Sequence, residues 1–347
     1  KVRHAFKYGM WGISTSDDPE IGVELQAAFD LVNSDDLNYQ KEIIITGLKL
    51  FERLFGYLAV YFVPPNGPFS SILEATCATE GIKYLSASKI QTEPLGQGRT
   101  TKKLHWLGQT SRNGLTYITR NCYFEPGLPE KDWIDSCLND ISVAFRWHKP
   151  AVISSHRVNY IGALDRSNRD AGLAQLSSLL NQVMKKWPDA EFITSDELGK
   201  IINSDSLMSR LLSTLTRNLI NVPGWRTNRR IVLIESDDWG SIRMPSNEVY
   251  SKLISEGFDI SKSDYNRLDS LECNNDLELL FEVLSSFNDS VGNRPVITAN
   301  SIVGNPDFRK IKQSEFKEYY YESVTETLKR YPERDKVEML WREGINA

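Results

Sequence analysis

Three observations predict an α/β fold with a largely parallel sheet that closes as one barrel over residues 1–347. Short β-branched runs such as Ile231 to Ile234 lack the polar alternation of a half-wet sheet, which suits strands covered on both faces. Segments of helical length and spacing separate these runs. Polar and titratable residues gather where the runs end, on the rim that carries the chemistry of α/β barrels. With 347 residues, 40% hydrophobic and 25% charged, the chain is large enough for one such barrel or two medium domains.

Tyr8 to Ser16 is aromatic and glycine-rich, and Asp17-Asp18-Pro19-Glu20 after it reads as a helix N-terminus rather than a catalytic carboxylate pair. Helices are expected over Glu20 to Asn33 and Asn38 to Phe55, the second with Ile44, Leu48, Phe51 and Phe55 at helical spacing. Tyr57 to Val63 is a strand running into Pro64-Pro65-Asn66-Gly67-Pro68-Phe69, whose proline-fixed backbone would wall a pocket. Ser70 to Glu80 is a capped helix and Ile82 to Ser86 a short strand. Thr92 to Gln109 reads as a solvated loop, because Gly96-Gln97-Gly98 lacks the order of a phosphate-binding loop.

Leu115 to Pro126 is a strand whose end carries Arg120, Asn121 and Glu125, and Pro129 to Trp147 is a helix. The apolar Ala151 to Ile153 leads to His156 and Arg157, a further strand end with acid–base capacity. Ala171 to Lys186 is a helix with Leu173, Leu176 and Leu180 on one face; Glu191 to Thr194 is a strand, and Ser195 opens a short helix. Asn203 to Ser206 is a polar junction, after which Met208 begins like a fresh N-terminus. The strand Arg230 to Ser236 then delivers Asp237, Asp238 and Trp239 where it gives way to its loop. Helices over Asn247 to Phe287, a strand over Arg294 to Val303 and a helical stretch over Glu315 to Arg330 follow.

The longest apolar runs, such as Tyr57 to Val63, are too short to span a bilayer, and no basic leader with an apolar core is visible. A cytoplasmic protein without a membrane span is expected. The net charge of −5 argues against nucleic acid as a partner. Cys77, Cys122, Cys137 and Cys273 form no C-x-x-C pair and read as reduced thiols.

Ser236-Asp237-Asp238-Trp239, Val63-Pro64-Pro65-Asn66-Gly67 and Ile153-Ser154-Ser155-His156 resemble motifs of the polysaccharide deacetylase superfamily, the NodB-homology fold of carbohydrate esterase family 4. The resemblance implies a distorted (β/α) barrel and a metal-dependent hydrolase that removes acetyl groups from a carbohydrate. It implies Asp237 as general base, Asp238 as metal ligand, His156 as general acid and Pro64 to Gly67 as a groove wall. Trp239, Pro65, Asn66 and Gly67 would meet sugar rings, and Arg120, Asn121, Glu125 and Arg157 complete the expected substrate-binding set. The family order places the Asp-Asp strand first and the His strand last, whereas here His156 precedes Asp237. Residues 1–207 resemble the C-terminal part of the family domain and 208–347 the N-terminal part, so a circularly permuted or re-ordered chain is expected. In that order Met208 is the native start, Lys1 and Ala347 lie close together near Asp238, and the Leu207-Met208 junction is exposed. The resemblance implies a His-x-x-x-His metal pair between Val303 and Tyr8 in that order; no two of His4, His105, His148 and His156 stand at that spacing, so a segment missing between Ala347 and Lys1 is expected.

A divalent ion, zinc by this resemblance, held by one carboxylate and two imidazoles keeps a position for water, lowers that water's pKa and polarises an acyl carbonyl. Asp237 would take the proton from water and His156 would give one to the departing group. Two other functions share these residues. One is a catalytically inactive relative that binds carbohydrate in the same groove. The other is a glycosidase using Asp237 and Glu125 as a carboxylate pair without a metal between them.

Overall fold

The computed structural model describes residues 7–10, 28–31, 33–128, 131–212, 224–261 and 263–346, with the side chains of 205–212 and 345–346 excepted. Asp17, Asp18, most of the helix expected over Glu20 to Asn33, Lys1, Ala347 and the side chains of Leu207 and Met208 lie outside the described residues. The expected meeting of the chain ends and exposure of the Leu207-Met208 junction lie there too.

In chain order the elements are α1 (Asp36–Phe55), β1 (Tyr61–Phe62), α2 (Glu74–Thr79), β2 (Tyr84–Ser86), β3 (Ile90–Gly96), β4 (Arg99–Leu104), β5 (Thr116–Ile118) and β6 (Cys122–Tyr123). Then come α3 (Trp133–Arg146), β7 (Ala151–His156), α4 (Arg166–Lys186), β8 (Ala190–Phe192), α5 (Ser195–Leu212) and β9 (Arg230–Trp239). The remainder is α6 (Asn247–Ser255), α7 (Asp264–Leu268), α8 (Asn274–Ser285), β10 (Ile297–Ser301), β11 (Gly304–Pro306), α9 (Phe308–Gln313), β12 (Tyr321–Ser323), α10 (Val324–Leu328) and α11 (Val337–Asn346). The fold is α/β, and its two largest sheets are parallel throughout. One runs β1-β2-β5; the other runs β10-β9-β7-β6, with β8 pairing the start of β9. Among the described residues no helix is long and apolar enough to cross a membrane.

Register decides what faces the site. β7 and β9 pair from Ala151↔Val232 to His156↔Asp237, so the histidine and the aspartate stand side by side at the C-terminal ends of neighbouring strands. Val232 and Ile234 pack with Ala151 and Ile153 beneath α3, α4 and α8. The alternate residues Ile231, Leu233 and Val152 join Tyr84 and Ile118 of the three-stranded sheet, with Leu198 and Ile202 of α5, in a second buried layer. Because side chains alternate along a strand, Glu235 and Asp237 fall on the face of Ile231 and Leu233. Ser154 and His156 likewise continue the face of Val152. The polar residues therefore sit directly beyond an apolar floor shared by both sheets.

Several helices start where the sequence places a capping side chain. Asp132 accepts from the Asp135 amide at 3.0 Å and starts α3, and Asp165 accepts from the Ser167 amide at 2.9 Å and starts α4. Four expectations are corrected. The short helix from Ser195 and the polar junction Asn203 to Ser206 are one continuous helix, α5. Thr92 to Gln109 is not a loop but largely the antiparallel hairpin β3–β4, turned through Gly96, Gln97 and Gly98, all at positive φ. Its pattern is inverted: Gln91 and Glu93 are buried while Ile90 and Leu95 are exposed. Gln91 pairs with His105 at 2.7 Å and Glu93 with Lys103 at 2.7 Å, which satisfies these buried polar groups. The single strand expected over Leu115 to Pro126 is β5 and β6, one in each parallel sheet, with Arg120 in the crossing between them. Over Glu315 to Arg330, the helical stretch is replaced by β12, paired antiparallel with β11, and the short α10.

Candidate active site

His156 ends β7 and is held from behind. Its Nδ1 lies 2.6 Å from Glu125 Oε1, while the other carboxylate oxygen of Glu125 accepts from Asn159 Nδ2 at 2.7 Å. Tyr265 of α7 packs edge-on against the imidazole, with ring centroids 5.5 Å apart. Burial alone would lower the His156 pKa, but the hydrogen bond and charge of Glu125, with the charges of Asp237 and Asp238, outweigh it and raise the value to about 9. At neutral pH the ring is an imidazolium whose Nδ1–H is spent on Glu125, leaving Nε2–H to donate.

Asp237 faces it across 3.8 Å, Oδ2 to His156 Nε2. Arg120 grips both oxygens of Asp237, with Nη2 donating to Oδ1 at 2.7 Å and Nη1 donating to Oδ2. Asn300, at the end of β10, adds a 2.9 Å bond to Oδ1. Burial works against the charge of Asp237; Arg120, His156 and Asn300 overcome it and hold the carboxyl below its ordinary range. Arg120 is itself anchored: its Nε donates to Glu235 Oε2 at 2.6 Å and its Nη1 to Ser154 Oγ at 3.0 Å.

Asp238 points another way. Its backbone has φ +76° at a shift of register between β9 and β10, and its Oδ2 lies 3.3 Å from Arg243 Nη2. Among the described residues no three His, Cys, Asp or Glu side chains converge as a metal-ligating group. Asp238 paired with an arginine does not by itself fit a divalent ion, which needs several unprotonated donors and competes poorly with a neighbouring guanidinium.

The remaining expected site residues divide. Pro65, Asn66 and Gly67 line a cavity of about 2580 Å³ together with Arg120, His156, Asp237 and Asp238. Trp239 borders it too, but its ring is 2% exposed and its Nε1 donates to Ser236 Oγ at 3.0 Å, so it belongs to the core and offers no free stacking face. Asn121 spends its amide on β7, donating to Pro150 O at 2.9 Å and accepting from Val152 N at 2.8 Å. Arg157 is fully buried between Asp269 and Glu272, at 2.8 and 2.7 Å, and donates to Ser241 O at 2.9 Å. It braces the loop after β9 from beneath instead of meeting a ligand.

Glu235, Asn300, Arg243 and Tyr265 are site residues that motif reading passed over. For Glu235 the signal exists in the sequence, since it lies two residues before Asp237 on the same strand face. Asn300 lies within the expected strand Arg294 to Val303, near its end. Tyr265 and Arg243 have no comparable signal, because a five-residue helix and a loop carry no periodicity. Compared with family models, with curated proteins and with solved structures, the chain shows no match.

Proposed function

We propose that the chain is a hydrolase that removes acyl groups from a carbohydrate, with His156 as the proton donor and Asp237 as the proton acceptor. The observation that carries this reading is the pair itself: a charged imidazole and an ionised carboxylate 3.8 Å apart, each oriented by its own partner, on the wall of a large cavity. Such a separation lets one reacting oxygen or nitrogen reach both groups. Water attacks the acyl carbon, its proton passes to Asp237, and His156 Nε2 gives its proton to the departing amine or hydroxyl of the sugar. The loop Pro64 to Gly67 would supply backbone and ring surface to the sugar. In this reading the two parallel sheets are arcs of one distorted (β/α) barrel in permuted order. Four buried free thiols accord with a cytoplasmic protein.

Glu125 favours hydrolysis of an acyl bond over the two-carboxylate glycosidase. It is buried behind His156, 2.6 Å from Nδ1, and is not among the residues that line the cavity, whereas Asp237 and His156 are, so it orients the acid and does not meet a glycosidic oxygen. The test is incubation with an acetylated amino-sugar oligomer, scoring acetate and reducing ends separately, with and without a chelator. Acetate release that disappears in Asp237→Asn and His156→Ala is expected. Reducing ends without acetate would favour the glycosidase, and oligomer binding with neither product an inactive carbohydrate-binding protein.

A further inference from the structure

We infer that Glu235 is a positioning residue for Asp237, acting through Arg120 and tying the site to three other segments of the fold. This rests on the acid–base reading of His156 and Asp237. Glu235 is wholly buried on β9, two residues before Asp237 and on the same strand face. A buried carboxylate without partners is costly, so the fold must satisfy both of its oxygens. One oxygen, Oε2, takes Arg120 Nε at 2.6 Å. The other, Oε1, takes the Tyr61 hydroxyl of β1 at 2.5 Å and Ser195 Oγ, at the start of α5, at 2.8 Å.

The geometry makes Arg120 a plate fixed along two edges. Its Nε edge is pinned by Glu235, and its two Nη groups present a fork that only then matches both oxygens of Asp237. Arg120 lies outside any helix or strand, between β5 and β6, so its backbone alone does not set the angle of the guanidinium. Without the carboxylate at position 235 the plate would turn about its last side-chain bonds toward Ser154, and Asp237 Oδ2 would lose its alignment with His156 Nε2. The groups facing this pair are Arg120, Asn300, His156 with Glu125 behind it, and Asp238 with Arg243. None of these contacts Arg120 Nε, so none substitutes for Glu235.

The test uses the full chain with Glu235→Gln, which is nearly isosteric and puts an amide where Arg120 needs an anion. The first readout is independent of activity: the Arg120 Nε–H resonance should be slowly exchanging in the parent chain and should move to fast exchange in the variant. The second is kinetic. On the acetylated oligomer, kcat should fall about a hundred-fold, the scale of a misplaced reacting group, while KM stays within about two-fold. If Glu235→Gln does not fold, Tyr61→Phe alone loosens the Oε1 side of Glu235 while Ser195 Oγ still donates to it, and the same two changes are expected in smaller measure. An Arg120 Nε–H that stays slowly exchanging in a folded variant would overturn the proposal whatever the activity. So would a KM rise with kcat unchanged. If the resonance changes but the parent chain has no hydrolase activity, the acid–base reading fails and the positioning of Asp237 stands.

Discussion

His156 Nε2 stands 3.8 Å from Asp237 Oδ2, and each side chain is held on its far side by a partner of opposite charge, Glu125 for the imidazole and Arg120 for the carboxylate. Neither partner belongs to β7 or β9. The strands fix the spacing through their register, and the crossing from β5 to β6 and the loop after it fix the orientation.

Asp237→Asn keeps the volume of the side chain and removes its charge. Arg120 retains Glu235, so the fold should persist while the proton acceptor is gone. The expected outcome is a loss in kcat of about 10²- to 10⁴-fold, measured by acetate release under saturating substrate. A change confined to KM would place Asp237 in substrate binding instead.

The pKa shifts set a pH window whose two edges have opposite signs. His156 is raised from 6.5 to about 9, so its pairing with Glu125 and Asp237 stabilises the fold fully below 6.5 and is lost as pH rises through about 9. Asp237 is depressed below 3.8, so its contribution is present above that value and lost as pH falls through its lower, folded one. Activity should follow the same edges, failing on the alkaline side when the imidazolium deprotonates. Titration of the His156 ring protons by NMR checks the alkaline edge directly; a midpoint near 6.5 would remove the proposed donor at neutral pH.

Much of this site is legible in the sequence because strands impose a period of two. Ile231 to Ile234 read as a doubly covered strand, and β9 is one; His156 and Asp237 read as strand ends, and the register sets them opposite each other. Legibility fails where a polar side chain is buried and satisfied by a distant residue. Glu93 is buried in a hairpin that otherwise reads as a polar loop, and Arg157 beside His156 read as a site residue although its partners Asp269 and Glu272 are more than a hundred positions away. Trp239 failed for the opposite reason: an aromatic after a pair of strand-end carboxylates is as useful to the core as to a sugar ring.

Two glycines give opposite signs to one substitution. A Cβ at Gly172 in α4 would sit 1.8 Å from Asn159 O, and Asn159 is the residue that holds Glu125 against His156. Gly172→Ala should cost about 1–3 kcal/mol by overpacking and should also lower the His156 pKa by dislodging Glu125. At Gly47 in α1 a methyl group would meet nothing within 4 Å, so Gly47→Ala should stabilise by about 0.5–1 kcal/mol. Urea melts of both variants, with NMR of His156 in the first, decide the matter.

Arg157→Met tests the reassignment of that residue from site to scaffold. It would leave Asp269 and Glu272, both fully buried, without their shared cation. Removing one partner of a buried ion pair costs about 3–5 kcal/mol, and that loss should appear in chemical denaturation. Substrate affinity of the folded fraction should be unchanged, since Arg157 has no exposed surface from which to meet a ligand. A raised KM at unchanged stability would return it to the binding set.

Glu125→Gln separates the two hydrolytic readings with one variant. If Glu125 serves His156, the amide still fills the space and still offers an oxygen to Nδ1, but the charge that holds the imidazolium is lost. The His156 pKa should then fall from about 9 toward its ordinary 6.5. Acyl hydrolysis would survive at mildly acidic pH, where the ring is still protonated, and would drop away at pH values where the parent chain is fully active. The alkaline edge of the pH–rate profile would move down, in step with the NMR midpoint of His156. In a glycosidase built on Asp237 and Glu125 the same change deletes one of the two carboxyl groups that do the chemistry, and activity would be lost at every pH by about the 10²- to 10⁴-fold of a missing acid or base. Rate profiles of the parent and the variant from about pH 5 to pH 10 therefore distinguish a shifted edge from a uniform loss. A uniform loss would transfer Glu125 from the support of His156 to the reacting centre.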